Sequence, residues 1–271
     1  MPFTLPRALF SVRVLVRLLS SPFGVRVFAA GAVILAVATV GYSQGRRALS
    51  GVRQVVPYDG TLVFTRIAYN TGLSGFGFNS SAWNHDYPAA DRNVGALIDY
   101  ISHARVRLDG TNILELDDPE IFRNPVLYIW EPGFWTIKPS EAGNLRAYLL
   151  KGGFVIFDDF EGEAQWDNMV EQVRQAVPEL EWIRIDVRHP IFHSFYDIKS
   201  LDVPHPIVNV IPDYFGLFED NDPDGRMLAL ANYNNDIAEY WEWSAEGLYS
   251  TDWTGDAYRL GVNFFMYALT H

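Results

Sequence analysis

The chain has 271 residues, of which 49% are apolar and 15% aromatic, so it can form one large domain or two small ones. Its net charge of −12 is unevenly spread: residues 1–58 carry +7, and residues 59–271 carry −19. The acidic part excludes nucleic acid as a partner, because phosphate binding needs a basic surface. The absence of cysteine excludes disulfides, thiolate metal sites and a cysteine nucleophile.

The basic N-terminal part contains a stretch typical of a membrane-spanning helix. Nineteen residues from Val27 to Gly45 carry no charge, and as a helix they would be about as long as a bilayer core is thick, roughly 30 Å. Arg26 precedes the stretch, and Arg46 and Arg47 follow it. A cleaved signal peptide is the alternative interpretation. We expect a retained transmembrane helix over residues 25–45.

The segment before this stretch has the pattern of a helix lying on the membrane surface. Arg13 and Arg17 are four residues apart and share a helix face, while apolar residues fall on the other side. An unusually long signal-peptide N-region is the alternative. The arginine distribution favours an N-terminus in the cytoplasm, a single pass through the bacterial inner membrane, and the acidic domain in the periplasm. The predicted divisions are an amphipathic segment (1–24), the transmembrane helix (25–45), a linker (46–59) and an α/β domain (60–271).

Apolar periodicity and turn residues predict the elements of the acidic part. The extended and loop regions are a strand over 61–69, a loop over 70–88, two short pieces with a hairpin-like turn at Asp109-Gly110, and strands over 124–130, 154–160 and 227–233. The predicted helices cover 89–104, 138–153, 163–177 and 257–271. Strands that alternate with helices predict a three-layer α/β domain with a mainly parallel sheet.

Four motifs occur in order along this part of the chain. They are WNHDYPAADRN (83–93), IWEPG (129–133), LLKGGFVIFDDFEG (149–162) and RHPIF (188–192). Together they resemble the bacterial DUF4159 family, a domain of unknown function, over residues 60–271. The resemblance implies kinship with the class I glutamine-amidotransferase-like superfamily, which includes ThuA-like proteins, and therefore a flavodoxin-like sandwich. Those amidotransferases use a cysteine at a strand-to-helix turn, which this chain lacks, and no G-x-S-x-G elbow replaces it.

The strongest candidate site is the pair Asp158–Asp159 at the end of a predicted buried strand. Ligands bind beyond the carboxyl ends of strands in open α/β sheets, so the position suits a ligand, a metal ion or acid–base chemistry. Alternatively, the pair caps the helix that starts near Glu163 or binds turn amides. We favour this structural role. Side chains alternate across a strand, so only one of the two can face a given pocket.

Further candidates lie in the predicted loop and in a histidine-rich segment. A His–Asp neighbourhood can hold a base or a metal, whereas the structural alternative makes Asp91 a helix N-cap and pairs Arg92 with an acid. His189, His193 and His205 fall within 17 residues, but intervening prolines argue against a zinc site. We expect no bound metal or cofactor. The candidate pocket for a small molecule or sugar comprises Asp158, Asp159, His85, Asp86, Asp91, Arg92 and Glu131.

An aromatic segment near the C-terminus suggests, as a cluster, an interface, since Tyr and Trp are enriched at protein interfaces and membrane boundaries. Its residues are Tyr240, Trp241, Trp243, Tyr249 and Trp253. For each of these residues taken singly, we favour the alternative of core packing. The sequence thus supports two functions. The favoured one is a non-catalytic subunit that docks its acidic domain on the outer face of an inner-membrane complex, such as a respiratory or photosynthetic one. The alternative is a ThuA-like periplasmic domain that binds or processes carbohydrate.

Overall fold

The computed structural model describes residues 53–71 and 82–271. The predicted amphipathic segment (1–24) and transmembrane helix (25–45) lie outside these residues, and so do the flanking arginines that would frame them. No helix within residues 53–71 and 82–271 is long and apolar enough to cross a membrane. Gln54, inside the predicted linker, exchanges backbone hydrogen bonds with Ile113 and therefore belongs to the folded domain.

The described part of the chain forms nine strands and five α-helices. The strands are β1 (Thr65–Ile67), β2 (Asn70–Thr71), β3 (Asn112–Leu114), β4 (Val126–Trp130), β5 (Trp135–Thr136), β6 (Phe154–Asp158), β7 (Trp182–Ile185), β8 (Asp213–Phe218) and β9 (Met227–Tyr233). The helices are α1 (Ala89–Ile101), α2 (Pro139–Leu150), α3 (Gly162–Ala176), α4 (Ile237–Glu242) and α5 (Thr251–Thr270). Strands and helices alternate as the sequence predicts, which gives the domain its α/β character.

Seven strands build one mixed sheet in the order β3-β1-β4-β6-β9-β8-β7. The five strands from β3 to β9 are parallel, and β8 and β7 extend the sheet antiparallel beyond β9. A separate antiparallel pair joins β2 to β5. The prediction of a mainly parallel sheet is therefore confirmed. Because β4, β6 and β9 are neighbours with the same direction, their carboxyl ends meet at one edge of the domain.

Both faces of the sheet are covered, so its central strands β4, β6 and β9 are mainly apolar. Along β4, Tyr128 and Trp130 belong to the core shared with α1, α4 and α5, whereas Leu127 and Ile129 belong to the core shared with α2 and α3. This alternation follows from the two-residue period of a strand. Helix α2 begins as predicted at Pro139, which has no backbone N–H to leave unpaired at a helix start.

Three sequence expectations differ from the structure. The hairpin at Asp109-Gly110 is wrong, because Val106 pairs with Leu62 and β3 pairs in parallel with β1 rather than with each other. Strands β7 and β8 were not foreseen in the loop-rich C-terminal third. Helix α5 begins at Thr251 rather than at residue 257, with the Ser250 side chain accepting a hydrogen bond from the Trp253 amide as its N-cap.

Candidate functional site

Acidic residues follow three neighbouring strands at the same edge of the sheet. Glu131 follows β4, Asp159 follows β6, and Asp236 lies just beyond β9. Parallel neighbouring strands bring their carboxyl ends together, which is where open α/β sheets bind ligands. The loop before α1 adds His85 and Asp86. We call His85, Asp86, Asp159 and Asp236 the strand-end cluster; each offers one nitrogen or oxygen atom, and these atoms all lie within 4.8 Å of one another.

His85 is the centre of the cluster. Its Nδ1 lies 2.6 Å from Asp159 Oδ2, 3.4 Å from Glu131 Oε1 and 3.7 Å from Asp86 Oδ1. Its side chain is 19% exposed, so the cluster reaches solvent on the His85 side. Burial lowers the pKa of His85, but the carboxylates of Asp86 and Asp159 outweigh this and hold that pKa well above its usual range. The acidic neighbours of His85 therefore favour its charged form.

A buried arginine holds the loop that carries His85. Arg66 on β1 donates from Nη1 to the backbone oxygens of Trp83 (2.7 Å) and His85 (2.6 Å). Its Nη2 lies 2.5 Å from Asp91 Oδ1, and both side chains are fully buried. The guanidinium also stacks over Trp130, 3.5 Å from the ring centroid. Asp91 is thus the partner of Arg66 and not an N-cap, since Pro88 precedes the first residue of α1.

Three residues of the site adopt left-handed backbone conformations. Asp86 has φ 60°, Glu131 has φ 43° and Asp159 has φ 61°. Non-glycine residues rarely adopt these angles, which cost about 1 kcal/mol or more each and tend to occur at functional sites. For Asp159 the turn redirects the chain directly after β6, so that its carboxylate reaches His85. Asp158, the last residue of β6, does not.

Asp158 lies beneath the cluster in a fully buried position. Its Oδ2 accepts hydrogen bonds from the Tyr128 hydroxyl (2.5 Å) and the Ala238 amide (3.3 Å), and its Oδ1 accepts one from Asn232. Burial raises the pKa of Asp158 to about 7, against the opposing effect of the Tyr128 hydrogen bond. Neither aspartate of the pair caps α3, whose N-cap residue is Glu161. Asp158 has a structural role that differs from the predicted one.

Asp86 and Asp236 each use one carboxylate oxygen within the protein. Asp86 Oδ2 accepts a hydrogen bond from Trp130 Nε1 (2.9 Å), and Asp236 Oδ1 accepts one from the Glu239 amide (3.0 Å). The other oxygen of each, Asp86 Oδ1 and Asp236 Oδ2, is buried and accepts no hydrogen bond from an N–H group or hydroxyl of the described residues; the carboxyl group of Glu242 also interacts with Asp86. Burial raises the pKa of Asp236 well above its usual range, and the charges of Asp159 and Asp86 add to this.

Two further groups adjoin the cluster and share a residue with it. Asp159 also groups with Glu161 and His205, and Asp86 also groups with Glu239 and Glu242. Burial raises the pKa of Glu239 to about 7 and that of Glu242 to about 8, and in both cases the negative charge of Asp86 adds to the effect. This edge of the domain therefore carries more acidic groups than buried cations can neutralise.

Sequence comparison identifies the family to which this domain belongs. A model of a domain of unknown function, DUF4159, matches residues 63–269, which is more than half of the chain. The chain belongs to the DUF4159 family. A comparison with curated proteins finds no match. All nine strands and every residue of the strand-end cluster fall inside the matched region.

Within this DUF4159 domain, sequence reasoning and structure agree on part of the site. The structure brings His85, Asp86, Glu131 and Asp159 together. Arg92 is exposed, and its Nε donates to the Pro88 oxygen (3.4 Å) rather than entering the cluster. The sequence reasoning missed Asp236, Glu161, Glu239 and Glu242. The available signal was Asn234-Asn235-Asp236, which directly follows the predicted strand β9 as Asp158–Asp159 ends β6.

The predicted interface of the DUF4159 domain is only partly on its surface. Tyr240 and Trp241 are fully buried, so their assignment to an exposed interface is wrong. Both lie on α4, and they pack in the core shared with α1 and α5. Trp243 and Tyr249 are half-buried, while Trp253 is 47% exposed. The aromatic residues of this segment thus contribute mainly to the core.

The histidine-rich segment does not converge. His189 caps a short 3₁₀ helix by accepting from the Ile191 amide (3.2 Å). His193 Nδ1 lies 2.8 Å from Asp197 Oδ1. His205 Nδ1 accepts from the Ile207 amide (3.2 Å), and its buried Nε2 faces Glu161 at 3.9 Å. Each histidine has its own local partner, and only His205 adjoins the strand-end cluster.

Proposed function

We propose that the chain is a membrane-anchored, non-catalytic accessory subunit of a bacterial inner-membrane protein complex. Its acidic α/β domain would dock on the periplasmic face, with an energy-transducing complex as the class of partner. The observation that carries this proposal is the division of the sequence. An uncharged stretch of nineteen residues lies in a basic segment of +7 and precedes an acidic domain of −19. A strongly acidic domain is repelled by an anionic cytoplasmic leaflet, which favours the opposite side.

The chemistry of the strand-end cluster supports a non-catalytic role. Nucleophilic catalysis needs an activated nucleophile next to a base. His85 Nδ1 is engaged with Asp159 Oδ2 at 2.6 Å, and its acidic neighbours favour its charged form, which is a poor general base. The chain also has no cysteine to serve as a nucleophile. These properties suit a domain that binds or docks.

The docking surface would include the exposed part of the segment between α4 and α5 and the first turn of α5. Leu248 is 60% exposed and Trp253 is 47% exposed, and both flank half-buried Tyr249. Large apolar side chains in such positions are the kind that anchor protein interfaces. The bilayer would contribute the second attachment through residues 25–45.

A mild-detergent pull-down of the full-length chain, with co-purifying proteins identified by mass spectrometry, tests this proposal. We expect a stoichiometric membrane complex that is lost when residues 1–47 are removed. Trp253→Ser should weaken the association, whereas Tyr100→Ser, which changes an 87% exposed aromatic residue on α1, should not. Recovery of a lone protein with its leader cleaved would rule the accessory role out.

A carbohydrate-binding or carbohydrate-processing domain is the second candidate, and one observation favours it. Asp159 stands at a strained turn (φ 61°) between β6 and α3, and it meets the His85 loop at 2.6 Å. In the flavodoxin-like, amidotransferase-like superfamily that includes ThuA-like proteins, the strand-to-helix turn carries the reactive residue. Here it would carry a carboxylate. A screen of the protein against sugars tests this candidate; binding that Asp159→Asn abolishes and Asp117→Asn preserves would support it.

A further inference from the structure

We propose that the strand-end cluster binds one divalent cation of the first transition row, with Zn²⁺ or Mn²⁺ as its chemical type. The ligands would be Asp86, Asp159, Asp236 and His85, and the imidazole of His85 would release its extra proton to solvent as the ion binds. This inference concerns binding at the cluster and does not depend on the membrane-anchored accessory role. A domain that docks on a complex can hold such an ion, and so can one that acts alone.

The spacing of the four groups suits a single ion. Their candidate ligand atoms all lie within 4.8 Å of one another. With ligand bonds of about 2.0–2.2 Å, the ligand atoms of a tetrahedral zinc ion lie about 3.3–3.6 Å apart. Small side-chain rotations therefore suffice to close the four groups around an ion.

Two buried carboxylate oxygens point to a ligand that the protein itself does not supply. Asp86 is 3% exposed and Asp236 is 0% exposed, yet Asp86 Oδ1 and Asp236 Oδ2 accept no hydrogen bond from an N–H group or hydroxyl in the described structure. A buried carboxylate oxygen without a partner is costly, so such atoms are rare in folded proteins. Asp86 Oδ1 lies 3.7 Å from His85 Nδ1, which places it inside the cluster.

The remaining oxygen of each carboxylate is held in place. Trp130 Nε1 donates to Asp86 Oδ2, and the Glu239 amide donates to Asp236 Oδ1. Metal-ligating carboxylates are oriented by hydrogen bonds of this kind, which fix one oxygen and present the other. The pattern is the same for two residues that come from different parts of the chain.

A second acidic group in the domain serves as a comparison, because its carboxylates already have a cationic partner. Glu115, Asp117 and Glu141 also come close enough to hold an ion, but Lys138 already occupies the centre of the group. Its Nζ lies 3.1 Å from Glu141 Oε1 and 3.9 Å from Asp117 Oδ2, and it also contacts Glu115. The lysine supplies the positive charge there. In the strand-end cluster of the described residues, a single imidazole faces three carboxyl groups, and no salt bridge joins these carboxyl groups to a lysine or an arginine.

The ligand types favour a transition metal over Ca²⁺ or Mg²⁺. One imidazole with three carboxylates is a donor set that Zn²⁺, Mn²⁺ and Fe²⁺ accept. Ca²⁺ takes six to eight oxygen ligands, and Mg²⁺ keeps most of its water. The occluded position of Asp86 and Asp236 disfavours both.

Calorimetry and thermal unfolding of the full-length protein, first stripped with a chelator, test the proposal with ZnCl₂, MnCl₂, MgCl₂ and CaCl₂ as probes. We expect one Zn²⁺ or Mn²⁺ per chain. Saturation at about 100 times Kd should raise the melting temperature by about 5 °C or more. Asp236→Asn should weaken binding by at least about tenfold. Asp117→Asn, in the lysine-filled cluster, should bind like the unchanged protein.

Three results would overturn the proposal. They are no measurable binding of Zn²⁺ or Mn²⁺, tighter binding of Mg²⁺ or Ca²⁺ than of either, and unchanged affinity in Asp236→Asn. If Asp236→Asn does not fold, Asp86→Asn decides the matter in the same assay, because Asp86 presents the second unpartnered oxygen. A pull-down result of either kind leaves these measurements unaffected, so the two proposals can fail separately.

Discussion

The strand-end cluster and the histidine segment 189–205 both contain groups capable of binding metals, but they are arranged differently. The cluster collects His85, Asp86, Asp159 and Asp236 from three distant parts of the chain within 4.8 Å. The histidine segment has three histidines within 17 residues, and the structure gives each its own local contact. Proximity along the chain therefore indicates a site less well than a shared strand end does.

The two regions also shift the pKa values of their histidines in opposite directions. Two neighbouring carboxylates overcome burial at His85 and raise its pKa. Burial lowers the pKa of His189 to about 4, and the nearby His271 adds to this effect. One histidine is kept charged by acids, and the other is kept neutral by apolar packing against Phe218 and Tyr267.

The largest expected effect concerns the arginine that anchors the cluster's loop. Arg66→Met should lower the free energy of unfolding by about 3–5 kcal/mol, because it leaves the buried Asp91 carboxylate without its cation. Urea denaturation measures this. Arg92→Met, at an exposed position of α1, should change stability by no more than about 0.5 kcal/mol. Similar losses in both variants would mean that the cluster's support is not built on the buried pair.

A double variant sharpens this result. Arg66→Met combined with Asp91→Leu removes both charges, so much of the loss should be recovered relative to Arg66→Met alone. The histidine segment offers no comparable pair, since its contact between His193 and Asp197 is largely exposed. A double variant as unstable as the single one would show that Arg66 acts through its bonds to the backbone of Trp83 and His85 instead.

The next prediction compares two buried tyrosine hydroxyls, one that donates to the Asp158 carboxylate and one that donates to a backbone oxygen. Tyr128→Phe removes the hydroxyl that donates to Asp158 Oδ2, a carboxylate. Tyr148→Phe removes a hydroxyl that donates to the Asn124 backbone oxygen at 2.9 Å, a neutral acceptor. We expect losses of about 1.5–3 kcal/mol for the first and about 1 kcal/mol for the second. Denaturation at pH 8 compares them, and equal losses would contradict a charged Asp158.

Much of the fold could be predicted from local patterns, and its edges could not. Strand β4 is an uninterrupted apolar run, and β9 is apolar from Met227 to Ala231. The start of α2 is indicated by Pro139 and Glu141. Strand β7 is short and half-exposed, with Arg184 in its middle, so it lacks the apolar signal of a buried strand. The Asp109-Gly110 turn predicts a hairpin, but β3 pairs in parallel with β1. A turn sequence alone does not tell which strand will be the partner.

The sequence predicts those site residues that lie next to a single recognisable strand or motif. It does not predict the residues whose position depends on which strands are neighbours. Asp159 follows a strand that is evident in the sequence, and the His–Asp motif of the 83–93 loop draws attention by itself. To predict that Asp236 belongs to the site, one must know that β9 pairs with β6, for example Leu230 with Ile156, which are more than seventy residues apart in the sequence. The burial of Tyr240 and Trp241 depends likewise on where α4 packs. Long-range pairing is the information that single-sequence patterns lack.

A pH series on His189 tests the contrast between the two histidines. The folded pKa of His189 is about 4, below its usual value of about 6.5, so the unfolded chain binds the extra proton first. The stability that neutral His189 contributes is thus present above about pH 6.5 and is lost as the pH falls towards 4. Asp186, Asp224 and His271 are the charged groups that act on it.

His189→Asn keeps a side-chain acceptor for the Ile191 amide but cannot be protonated. Unfolding free energies should therefore differ between variant and parent by on the order of 1 kcal/mol more at pH 7.5 than at pH 4.5, a figure discounted because the ring is partly exposed. A gap that stays constant over this range would show that His189 is not held neutral by its packing.

The smallest expected effect is at the surface of the histidine segment. His193→Gln removes the contact between His193 Nδ1 and Asp197 Oδ1, and the Asp197 side chain is 64% exposed. Exposed pairs of this kind contribute about 0–1 kcal/mol, so we expect a loss of at most about 0.5 kcal/mol by urea denaturation. His85→Gln in the strand-end cluster should cost clearly more, because it leaves Asp159 and Asp86 without their cation. If the two substitutions cost the same, the imidazole of His85 does not neutralise the cluster, and the contrast between the two regions would be one of position alone.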